Sequence, residues 1–104
     1  MGGDKGLLRE IIQLFIDDLP LRLASIQSAV HERDADGLYK AAHNLKGSGS
    51  SLSAAGVVEA SRALELIGQQ GQIDAMDEAW RRLQAESDRL LDALRLQRQR
   101  PAPS

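Results

Sequence analysis

The residues of this chain best suited to chemistry lie together in Ala41-Ala42-His43-Asn44-Leu45-Lys46-Gly47-Ser48. His43 is one of only two histidines. Free imidazole has a pKa near ~6.5, so at neutral pH much of it is uncharged and one ring nitrogen offers a lone pair. That lone pair is a competent nucleophile towards phosphorus. Lys46 follows at i+3 and Gly47 at i+4, so on a helix all three share one face. A phosphoryl group on His43 would carry roughly two negative charges at neutral pH. The Lys46 ammonium would stabilise it and the transfer transition state. A glycine inside a helix costs about 1 kcal/mol relative to alanine, and close approach of another protein is one way to compensate. Each residue alone reads as ordinary surface; the combination at helical spacing singles them out.

Helices must position this patch. The helix formers Leu, Ala and Arg are the most frequent residues, threonine is absent, and no strand-like alternation occurs. The fold class is all-α. Apolar positions Leu8, Ile12, Phe15, Leu19, Leu23, Ile26 and Val30 step by three and four. Pro20 interrupts that stripe, so a short helix is expected over 6–18 and a second over 20–32. Asp34 or Asp36 is the expected N-cap of the next helix, whose stripe is Leu38, Ala41, Leu45, Ser48 or Gly49, and Leu52. At ~100° per residue, His43 lies roughly 140–160° from that stripe and Gly47 almost opposite it. Tyr39 and Ser50 lie beside them and Lys46 on the flank. The patch is expected to face outward.

Gly47-Ser48-Gly49-Ser50-Ser51 has the composition of a linker, but the apolar phase runs through it to Leu52. Ser53 is expected to cap a helix buried through Val57, Ala60, Leu64 and Ile67, with Gly71 its C-cap. Asp74 opens the last helix, with the stripe Met76, Trp80, Leu83, Ser87, Leu90 and Leu94. Short connections give an antiparallel up-down-up-down four-helix bundle with a short extra N-terminal helix over one end. Residues 1–6 are expected to be a flexible lead-in, 7–96 the bundle and 97–104 a flexible tail.

Composition narrows the chemistry. A net charge of −2 and three aromatic residues, Phe15, Tyr39 and Trp80, argue against nucleic-acid binding. Cysteine is absent, so thiolate metal sites are excluded. Neither histidine has a carboxylate three residues before it, so the di-metal bundle motif is missing. No metal or cofactor of its own is expected. No glycine-rich loop follows a strand, which leaves nucleotide binding unsupported. No run of about 18 apolar residues exists, so no membrane contact is expected, and the location is read as cytoplasmic. His31, at a helix end, is assigned no chemistry. Glu65 or Glu59, on the next helix, is the candidate carboxylate to hold one ring N–H of His43 and fix its tautomer.

With these residues in view, the chain resembles a histidine-containing phosphotransfer (HPt) domain of bacterial two-component relays. The resemblance spans about residues 7–96 and rests on Leu14-Phe15-Ile16-Asp17-Asp18-Leu19-Pro20, Ala42-His43-Asn44-Leu45-Lys46-Gly47-Ser48 and Arg62-Ala63-Leu64-Glu65. It implies that His43 takes the phosphoryl group on Nε2 and that Lys46 lies beside that group. It implies that Gly47 makes room for the partner and that Glu65 bonds Nδ1. Tyr39, Ser50 and Arg62 are implied neighbours in docking. Many members carry alanine where Gly49 stands, a departure that bears on local helix stability. The implied partners are response-regulator receiver domains, which hold the Mg²⁺. The implied function is a phosphocarrier rather than an enzyme. The expected setting is the HPt module of a hybrid sensor kinase, whose cytoplasmic part it would be. Alternatives are a stand-alone HPt protein, the phosphate-accepting domain of a chemotaxis-type kinase, and a helical interaction module in which His43 is incidental. The isolated domain is expected to be a monomer.

Overall fold

The computed structural model describes the backbone of residues 2–51 and 54–99. Four helices form: α1 (Gly2–Glu32), α2 (Ala35–Ser51), α3 (Ala55–Gln70) and α4 (Met76–Gln99), with a 3₁₀ turn at Ile73–Ala75 before α4. Among the described residues there is no strand. Helix α1 packs on α2 and α4, and α3 packs on the same two, which closes a ring in chain order. Short turns join the helices, so neighbours are antiparallel and the topology is up-down-up-down.

The expected break at Pro20 does not occur, and with it the short extra helix disappears into α1. Proline removes one helical donor and clashes with the preceding turn, at about 3 kcal/mol. Packing outweighs that here. Ile12, Phe15, Ile16 and Leu19 before the proline, and Ile26, Ala29 and Val30 after it, are all buried in the same core. One straight apolar phase crosses the proline, and breaking the helix would throw one half out of register. Pro20 itself points to solvent. Helix α1 also begins at Gly2, inside the stretch expected as a lead-in, and α4 continues to Gln99. At ~1.5 Å per residue α1 is about 46 Å long and α2 about 26 Å, so the first half of α1 runs past the end of α2.

The turn between α1 and α2 resolves the choice of cap. Asp34 precedes α2, and its Oδ1 accepts the Gly37 N–H at 3.0 Å, one of the donors a helix start leaves unpaired. Asp36 instead pairs with Lys40 one turn on. Arg33 takes a left-handed φ of 56°, and its guanidinium makes two bonds to Asp77, 2.9 and 3.1 Å, fastening this turn to the start of α4. The left-handed C-cap of α3 falls on Gly71 as expected, with φ 69°. The N-cap position of α3 is Ala54, without a side-chain bond; Leu52 and Ser53 lie outside the described residues, as does the side chain of Leu8. Helix α4 starts at Met76, after Asp74 has entered the 3₁₀ turn.

Helix α2 continues through Gly47–Ser51, so this stretch is not a linker. Its core face is Leu38, Ala42, Leu45 and Gly49, with Ala41 and Ser48 half-buried. Gly49 lets α3 come close: a Cβ there would stand 3.2 Å from Val58 Cγ2. Gly68 does the same at the other end of the pair. A Cβ on Gly68 would lie 2.7 Å from both the Ala35 carbonyl oxygen and the Tyr39 nitrogen, which no real Cβ tolerates. These two contacts set the antiparallel register of α2 against α3.

Candidate functional site

Between those two close contacts, α2 and α3 bring His43, Lys46 and Glu65 together. Numbering rises along one helix as it falls along the other, so Gly68 opposite Tyr39 puts Glu65, one turn earlier, opposite His43. His43 Nδ1 is 2.8 Å from Glu65 Oε2. Lys46 Nζ donates to Glu65 Oε1 at 2.9 Å. One carboxylate therefore spans both partners. Its side chain is only 13% exposed, against 29% for Lys46 and 59% for His43.

Electrostatics keep the carboxylate of this triad charged. The Lys46 hydrogen bond is the main cause holding the Glu65 carboxyl below its ordinary range. Burial pushes the other way, and the His43 bond adds to the lowering. Glu65 is thus ionised at neutral pH and can only accept. The hydrogen on the shared line must sit on Nδ1, which leaves the lone pair of neutral imidazole on Nε2. Nε2 lies across the ring from Glu65, on a side chain that is mostly in solvent. Such a group is an oriented, exposed nitrogen nucleophile.

The other expected residues fall around it unequally. Gly47 is exposed, and a Cβ there would meet nothing within 4 Å. No packing among the described residues therefore demands a glycine at this position. Ser50 is exposed, but its hydroxyl donates to the Lys46 carbonyl at 2.9 Å, within its own helix. Arg62 is exposed on α3 one turn before Glu65 and reaches none of the three. Tyr39 lies closer than an outlying docking residue would: its ring centroid is 6.1 Å from that of His43, the planes 18° apart. Glu59, the rival of Glu65, is exposed on α3, and the carboxylate that bonds His43 is that of Glu65.

One relationship escaped sequence reasoning, and a second was read only as proximity on one helical face. The Lys46–Glu65 ion pair joins residues on different helices whose register depends on Gly49 and Gly68, and no spacing signals it. The Tyr39–His43 ring contact is an i, i+4 pair, so its signal was present in the spacing alone.

The Hpt domain family model matches residues 10–95. The chain belongs to the Hpt domain family. Comparison with curated proteins and with solved structures gave no match. Hpt domains carry phosphoryl groups in two-component signalling and interact with the receiver domains of response regulators. They are phosphocarriers rather than enzymes. Within this Hpt domain the helical bundle is the expected one, and no helix among the described residues is long and apolar enough to cross a membrane.

Proposed function

We propose that His43 is the phosphoryl acceptor of this Hpt domain, taking the group from a receiver-domain aspartyl phosphate and passing it to the aspartate of a second receiver. The observation that carries this reading is the Nδ1–Glu65 bond on a histidine side chain that is more than half exposed. The Nε2 lone pair attacks phosphorus in line. The N–P bond forms as the P–O bond to the aspartate breaks, and the aspartate leaves as carboxylate with that electron pair. No proton moves. The hydrogen stays on Nδ1, and the Glu65 carboxylate offsets the positive charge left on the ring.

The rest of the patch serves positioning and charge, which dominate phosphoryl transfer. Lys46, beside His43 and half-exposed, balances the negative charge arriving at Nε2. Gly47 leaves open surface for the partner's active-site loop, whose Mg²⁺ is expected on the receiver. Exposed Ser50 and Arg62 border the same face of α2 and α3 and make contact with the docked partner.

Transfer from a radiolabelled phospho-receiver tests this. The wild-type domain is expected to gain acid-labile, base-stable label, and His43→Gln to gain none. Label retained by His43→Gln would move the acceptor elsewhere.

A further inference from the structure

Among the described residues one hydrogen bond holds the His43 ring, from Nδ1 to Glu65. The Nε2 lone pair lies in the plane of the ring. A hydrogen bond tolerates a range of angles, so the ring can still rock about its Cβ–Cγ bond, and the lone pair would sweep an arc. In-line attack needs one direction, and small misalignments cost rate steeply. A second contact must set the plane. The ring of Tyr39 is the group in place to do so, one helical turn before His43, with centroids 6.1 Å apart and planes within 18° of parallel. At that separation near-parallel rings are offset, the arrangement aromatic pairs favour.

Tyr39 is half-buried, and Gly68 of α3 sits against its backbone so closely that a Cβ on Gly68 would be 2.7 Å from the Tyr39 nitrogen and 3.0 Å from its Cα. The backbone that carries the Tyr39 ring is thus fixed by the same helix contact that delivers Glu65. Resting on the phosphocarrier reading above, we infer that Tyr39 is a positioning residue: its ring sets the plane of the His43 imidazole and so aims Nε2, while Glu65 sets the tautomer.

The test compares wild type with Tyr39→Phe, Tyr39→Leu and Tyr39→Ala in single-turnover transfer from a phospho-receiver at varied receiver concentration. Tyr39→Leu keeps apolar bulk at the α2–α3 contact should the alanine variant fold poorly. A positioning role predicts that Leu and Ala lower the maximal rate about tenfold, while the half-saturating receiver concentration stays within about twofold. Tyr39→Phe restores the rate. An unchanged maximal rate, or a loss confined to half-saturation, would overturn the proposal and make Tyr39 a docking residue or a bystander. A second readout needs no receiver. Three-bond couplings of the His43 side chain are expected to report one rotamer in wild type and Tyr39→Phe, and averaging in Tyr39→Leu. Rotamer populations that do not change in Tyr39→Leu also overturn it. If wild type takes no label from any receiver, the phosphocarrier reading fails, and the couplings still decide whether Tyr39 holds the ring.

Discussion

Lys46 Nζ donates to Glu65 Oε1 at 2.9 Å, so the cation proposed to meet an incoming phosphoryl group rests on the same carboxylate that bonds His43 Nδ1. This pairing gives the site a pH signature. The Glu65 pKa is lowered in the folded state, chiefly by Lys46. A group with a depressed folded pKa contributes stability that is fully present above its unfolded value, about 4.3 for glutamate, and lost as pH falls through the lower folded value. Wild type should therefore lose stability more steeply than Lys46→Ala as pH falls below about 4.3. Urea unfolding followed by the fluorescence of Trp80, the single tryptophan, measures it. Equal losses in the two proteins would show that the pair does not contribute.

Two glycines on the α2–α3 face should respond oppositely to alanine. At Gly47 the added methyl meets open space, so Gly47→Ala should stabilise the domain by about 1 kcal/mol through helix propensity. The same methyl should slow transfer, because it stands where the partner's loop must come close. At Gly68 the methyl would strike the Ala35 and Tyr39 backbones. Gly68→Ala should destabilise by about 1–3 kcal/mol, the usual cost of overpacking. Urea midpoints and single-turnover rates of both variants check this. A Gly47→Ala domain that is more stable and equally fast would remove the close-approach role.

These glycines also mark what sequence reading could reach. The outward face of His43 was legible because Leu38, Leu45 and Gly49 keep helical phase through the glycine–serine stretch. The role of Glu65 was weak from spacing and came with the family resemblance, since register between helices is set by where backbones touch. Gly68 lies in the last turn of α3, and its place at a helix end gives no hint that its contact with Ala35 and Tyr39 governs that register. At Pro20 a sound local rule failed. The helix-breaking penalty is fixed by residue type, but the seven core side chains that keep α1 continuous act through tertiary contact. The cap of α2 lay between Asp34 and Asp36 until the Gly37 bond settled it.

Ser61 on α3 and Ser87 on α4 are fully buried, and neither hydroxyl has a hydrogen-bond partner among the described residues. A buried unpaired hydroxyl costs about 1–3 kcal/mol. Alanine removes that cost at nearly the same volume and has the better helix propensity. Ser61→Ala and Ser87→Ala should each raise stability by about 1 kcal/mol. Both are remote in role from the His43 patch, and transfer rates should not change. A loss of stability in either variant would mean that its hydroxyl is satisfied in solution.

The most direct measurement of the central claim is the site of phosphorus attachment. Nitrogen-15 and phosphorus-31 NMR of the phosphorylated, ring-labelled domain should show phosphorus coupled to Nε2 of His43, with the hydrogen retained on Nδ1. Phosphorus on Nδ1, on His31 or on a residue other than histidine would contradict the account, because Glu65 would then not be holding the ring for attack through Nε2.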